Sequence, residues 1–188
     1  MKKISLMISA FSCFILLNTG CSNKHDPEEA AKDTNEEKFE GSAENDAKFV
    51  VDATTANLFE IKAAELAKSK ATTTDAKNLA DMMFEAHSKA NADLGALAGQ
   101  KAITVPTTLP SDKQDEINNL DKETGMDFDK KYAGMMEDKH EGAVKMFEDA
   151  SKDCNDADIK NWASNTLPEL RHHLEMSKSC KEALDKMK

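Results

Sequence analysis

Residues 127–151 read DFDKKYAGMMEDKHEGAVKMFEDAS. At about 100° per residue, Asp129, Ala133, Met136, His140, Val144 and Phe147 fall on one face. Lys130, Lys131, Asp138, Glu141 and Lys145 fall on the other. An apolar stripe of this period, sustained over 25 residues without a proline, predicts one long amphipathic helix. A histidine stands near the centre of the stripe that must face inward.

The same period recurs on both sides. The spacing predicts helices over about 45–70, 74–99, 127–151 and 156–187, with a short one over about 112–123. Strand signals are absent: β-branched runs are few, no Asn-Gly or Asp-Gly hairpin occurs, and the chain has one Tyr and one Trp. The longest connection is QKAITVPTTLPSD (100–112), whose two prolines no helix can cross. Ser111-Asp112 can cap the short helix, and Gly125 ends it. Pro168 lies inside the last helix and is expected to bend it, because Ile159, Trp162 and Ala163 already follow the apolar stripe before it. The expectation is an all-α four-helix bundle with a crossover between its helix pairs and a short extra helix.

The N-terminus reads as a targeting segment. Lys2 and Lys3 precede the apolar run ISLMISAFSCFILL, too short to span a bilayer comfortably. Gly20-Cys21 then resembles a bacterial lipobox, although Asn18 stands where a leucine is preferred and Leu17 lies one position further back. Residues 1–20 are therefore expected to be a signal peptide. Residues 21–44 are expected to be a lipidated Cys21 followed by a disordered acidic tether, and 45–188 the bundle domain. An acyl anchor would hold the protein on a membrane without spanning it. The expected location is the periplasm or cell envelope, on the outer membrane.

Without Lys2 and Lys3, 23 of the 25 basic side chains remain against 35 acidic ones, a net of −12. Nucleic-acid binders carry basic stripes, so that class of partner is excluded. Protein partners are not legible. Cys154 and Cys180 fall near opposite ends of one predicted helix, roughly 35 Å apart, whereas a disulfide needs α-carbons within about 7 Å. No intramolecular disulfide is expected.

Each long helix carries one inward polar residue. His140 has been named. His87 shares its face with Ala76, Ala80, Met83, Ala90 and Leu94, and Glu60 with Phe49, Ala53, Ala56, Ala64 and Ala67. Of the neighbours His172 and His173, the wheel puts His173 beside Ile159, Ala163, Leu167, Leu170 and Leu174, and His172 in solvent. Measured from the two turns, Glu60 matches His87 in height, and His140 matches His173 within about 5 Å. One inward ligand type per helix at mid-height is the constellation of a bundle-core metal site. The same residues can also form a buried hydrogen-bond network, in which a Glu–His pair satisfies both partners.

Two Glu-x-x-His runs, 137–140 and 169–172, imitate di-iron spacing. The second ends on outward His172, and Phe84 stands three residues before His87, so a di-iron carboxylate set is not supported. The inventory suits one transition-metal ion, zinc, copper or iron, on Glu60, His87, His140 and His173, with Asp129 and Tyr132 behind them. The ten methionines are read as core fillers. No nucleophile elbow or phosphate-cradling glycine loop occurs, and no reaction is assigned.

FVVDATTANLFEIKAAELA, DMMFEAHSKANADLGALA, GMDFDKKYAGMMEDKHEGAVKMFEDA and LPELRHHLEMS resemble a domain-of-unknown-function family of ferritin-like bacterial envelope proteins, often labelled predicted outer membrane protein. The resemblance covers about residues 47–180. Its more specific pieces are Phe128, Asp129 and Tyr132 ahead of His140, and Leu167-Pro168 ahead of His173. It implies an exported ferritin-like four-helix domain, with family residues matching Glu60, His87, His140 and His173. The family usually has Asp directly before the helix-two histidine, where this chain has Ala86. It implies no activity. Two functions follow as expectations: an exported lipoprotein binding a transition metal in its core, or a non-enzymatic envelope interaction or stress-response module with a metal-free Glu/His network.

Overall fold

The computed structural model describes residues 26–187, so the signal-peptide and Cys21 lipidation readings lie outside the described residues. Every regular element among these residues is a helix: α1 (Pro27–Glu36), α2 (Ser42–Lys70), α3 (Thr74–Gln100), α4 (Ser111–Asp121), α5 (Gly125–Asp153) and α6 (Ala157–Lys186). No helix among them is long and apolar enough to cross a membrane.

The long helices α2, α3, α5 and α6 form the bundle. α2 pairs with α3, and α5 with α6, across short turns. α2 also packs on α5 and α3 on α6, while the short α4 covers α2 and α5. Local chemistry sets the boundaries. Thr73 accepts a hydrogen bond from the Ala76 N–H to start α3, and Asp156 accepts from the Asp158 and Ile159 N–H groups to start α6. Gly125 opens α5 at φ +58°, a left-handed conformation that a side chain would strain. α6 runs through Pro168 unbroken.

Two buried aspartates tie the hairpins together. Asp129 on α5 accepts from the Thr72 and Thr73 N–H groups and from the Thr72 hydroxyl, at 2.8–3.2 Å, clamping the α2–α3 turn. Asp46 on α2 accepts from the Asn155 and Asp156 N–H groups at 2.7–3.1 Å, clamping the α5–α6 turn. Each hairpin thus caps the other's turn, satisfying amides that helix ends leave open.

Two expectations need correction. The stretch 21–44 is not all disordered tether: α1 is a helix, capped by Asp26 and begun by Pro27. Its apolar content is low, as the sequence suggested. Polar contacts hold it beside the buried Ala31: Asn35 donates to the Thr104 carbonyl and accepts from the Thr104 N–H, both at 2.8 Å, and Lys32 pairs with Asp52 of α2 at 3.0 Å. α3 also runs past Gly99 and ends at Gln100. Cys154 and Cys180 are both free and buried, in different core clusters.

Candidate metal centre

His140 of α5 is fully buried, and His87 of α3 and His173 of α6 nearly so. His172 is exposed. The three buried rings form a triangle with centroids 5.3 Å apart on every side. One ring nitrogen from each lies within 4.8 Å of the other two. Ligands to one ion at about 2.0–2.1 Å stand roughly 3.3 Å apart, so a small inward shift of the rings closes the set.

Two of the three are already at that spacing. His87 Nε2 lies 3.3 Å from His140 Nε2. The His140 Nδ1–H donates to the Met136 carbonyl at 2.8 Å, which fixes the tautomer with a bare lone pair on Nε2. His87 Nδ1 lies 2.9 Å from Asn57 Oδ1, a carbonyl oxygen, so Nδ1–H donates there and leaves Nε2 bare as well. Two lone pairs at 3.3 Å repel unless a cation or proton joins them. A proton is disfavoured. Burial, with His140 and His173 alongside, holds His87 well below the ordinary histidine range. Burial also brings His140 and His173 down to about 4.

Glu60 of α2 reaches the group from behind. Its Oε1 lies 3.8 Å from His140 Nδ1, the nitrogen turned away from the other rings, and it stands outside the trio of converging donors. Burial pushes its carboxyl up to about 8, against the opposing pull of Lys139, and Oε2 has no partner. Neutral at pH 7, it sits behind a ligand candidate.

Asp129 does not support the site. Its carboxylate accepts its hydrogen bonds from the α2–α3 turn, about three helical turns from His140. Burial raises its carboxyl, but the hydrogen bonds from Thr73 and Thr72 outweigh this and hold it below its usual range. Tyr132 is fully buried, stacks on Phe128 at 6.4 Å, and leaves its hydroxyl unpartnered. Burial, then the Glu60 charge, raises it well above the ordinary tyrosine range.

Asn57 was not anticipated from sequence. The signal was there: it lies three residues before Glu60, so both reach the same face of an alanine-rich helix. Glu137, of the first Glu-x-x-His run, instead pairs with Lys181 at 2.5 Å.

A family model described as Domain of unknown function (DUF4142) matches residues 29–180. No curated protein matches the chain. Among solved structures, the crystal structure of a DUF305 fragment from Deinococcus radiodurans is similar, with a TM-score of 0.63 and 13% identity over 76% of this chain and 96% of that one. At that identity the likeness shows a shared helical fold and nothing of function.

Proposed function

The chain belongs to the DUF4142 family, a domain of unknown function, and from its geometry we propose that His87, His140 and His173 bind one transition-metal ion in the bundle core. The supporting observation is the pair of bare Nε2 atoms, 3.3 Å apart, with each Nδ1 facing a carbonyl oxygen. Neutral, buried imidazoles suit zinc, copper or iron. Glu60 and Asn57 are the outer groups that aim and tune the ligands. Three protein ligands leave a coordination position open, and an ion there would supply Lewis acidity or, for copper or iron, electron transfer. The proposal places this site in a ferritin-like envelope lipoprotein anchored through Cys21.

A second reading rests on another observation. Asn57 Nδ2 has no partner. Turning that amide over lets Nδ2 donate to His87 Nδ1, and His87 Nε2–H then donates to His140 Nε2. This chain is satisfied without an ion and supports a non-enzymatic envelope module.

Metal analysis of protein purified without chelator separates the two. The metal reading expects about one ion per chain, a raised melting temperature on adding zinc to stripped protein, and neither for His140→Ala. Sub-stoichiometric metal with no thermal shift from zinc, copper or iron overturns it. In that case His140→Ala lowers stability only.

A further inference from the structure

A cavity of about 360 Å³ adjoins the histidines. Its lining starts at Glu60, His87 and His173 and runs to Ala53, Ala90 and Phe147. The seven helical steps from Ala53 to Glu60 set its length at roughly 10 Å along the bundle axis. The histidines form its floor. Phe147 lines its far end, and Phe49 and Trp162 pack against that ring with centroids 5.1 and 5.3 Å away. Much of the wall is alanine, Ala53 and Ala56 on α2, Ala86 and Ala90 on α3 and Ala143 on α5, with Phe59, Met146 and Leu170 completing it. Lys113, Lys139, Glu28 and Asp52 stand at a partly exposed rim.

The polar atoms of this chamber are the second observation. Among the described residues, six buried side-chain atoms lack a hydrogen-bond partner, and four belong to residues lining this cavity: Thr55 Oγ1, Asn57 Nδ2, Glu60 Oε2 and His173 Nδ1. All four residues are at least nine-tenths buried. Unpaired buried polar atoms are rare in folded proteins, and four of these six belong to residues around one void. At the floor, Asn57 Nδ2 can only donate and His173 Nδ1, in its neutral N–H tautomer at Nε2, accepts. A carboxamide carries the matching pair, a carbonyl oxygen and an N–H. A charged head is disfavoured in so buried a place. An apolar cavity of about 150 Å³ holds benzene, so this one has room for a body of about two rings.

We propose that the chamber is a binding site for a small uncharged molecule with an apolar body and a carboxamide-type head. The body lies along the alanine walls and the head points at Asn57 and His173. The site does not depend on an ion.

The test titrates 2-naphthamide into the chelator-treated full chain and follows alanine and methionine methyl signals by NMR. Saturable shifts at Ala56, Ala90, Ala143 and Met146 are expected, with naphthalene binding at least about tenfold more weakly. Ala143→Leu, which fills the chamber, should weaken 2-naphthamide at least about tenfold while keeping the melting temperature. Asn57→Leu should erase the preference over naphthalene. No saturable shift up to the solubility limit, or unchanged binding in a folded Ala143→Leu variant, overturns the proposal. A zinc titration of the same sample keeps the two readings apart. Amide binding without zinc binding sinks the metal reading alone, and zinc binding without amide binding sinks this one alone.

Discussion

The bundle has two unlike halves, divided by the histidine layer. Toward the α2–α3 turn, Met83, Phe128, Tyr132 and Met136 are completely buried and fill the space between the helices. Toward the α5–α6 turn a second core cluster, with Val50, Leu94, Phe147, Ile159 and Leu170, is also buried, but alanines beside the histidine layer leave the 360 Å³ chamber. Close packing is the norm for protein interiors. The hollow half has therefore forgone packing beside the most unusual side chains of the bundle. The space, four of the six orphaned polar atoms among the described residues, and the rings of His87 and His173 meet there.

The largest effect should come from damaging the packed half. Phe128 is 0% exposed, and Phe128→Ala is expected to cost about 3–5 kcal/mol in denaturant unfolding, leaving bound zinc per folded chain unchanged. Zinc lost from the folded variant would show that the halves are not separable.

Acid should act on the hollow half. His140 and His173 stay neutral in the folded chain down to about pH 4, while the unfolded chain takes up those protons near the ordinary 6.5. Where the unfolded state binds more protons, stability rises with pH. Stability of metal-free protein is thus lost as pH falls from 6.5 toward 4, on the order of 3 kcal/mol for each of the two histidines. Glu60 acts oppositely: it keeps its proton up to about 8 when folded, so its contribution is lost as pH rises from 4.5 through 8. Metal-free protein should therefore be most stable near pH 6.5, and Glu60→Gln should flatten the alkaline side of the melting-temperature profile. Tyr132 and Cys180, the perturbed groups of the packed half, are raised beyond this window, Cys180 to about 11. A profile that Glu60→Gln does not alter would locate the titration elsewhere.

The two halves should also differ on adding volume. Ala133 is fully buried in the packed half and Ala143 lines the chamber, both on α5. Ala133→Leu should cost about 1–3 kcal/mol from overpacking, whereas Ala143→Leu should cost under about 1 kcal/mol or stabilise. Equal costs would mean that the chamber is not available space.

Much of this was legible residue by residue. A helix wheel needs only its own helix, so His87, His140 and His173 could be turned inward and His172 outward from periodicity alone. The helix ends followed from caps and prolines. What needed the structure were relations between helices. Asp129 looked like support for the site because it shares the stripe of His140, but its partners are amides of another hairpin, invisible to a wheel. α1 escaped because contacts to distant residues, Asn35 with Thr104 and Lys32 with Asp52, attach it beside a single buried alanine, Ala31. The chamber is a sum of side-chain volumes over four helices at one level. Each alanine in it looks unremarkable on its own helix.

The smallest effect concerns how the hollow half is closed at its end. α3 finishes with the Ile103 N–H donating to the Ala98 carbonyl at 2.9 Å and the Ala102 N–H to the Gly99 carbonyl at 3.3 Å, the paired bonds of a Schellman cap. That cap puts Ala102 at φ +55°, where glycine is the usual occupant. A left-handed alanine costs roughly 1–2 kcal/mol, and glycine removes it while making the unfolded chain more flexible, an opposing term of about 0.4–1 kcal/mol. Ala102→Gly should therefore stabilise the protein by up to about 1 kcal/mol. Since Ile103 packs in the cluster that closes this half, the variant should leave zinc and 2-naphthamide affinities unchanged. If Ala102→Gly instead weakens 2-naphthamide, the strained cap helps hold the chamber open, and the boundary between scaffold and site lies further along α3 than the histidine layer.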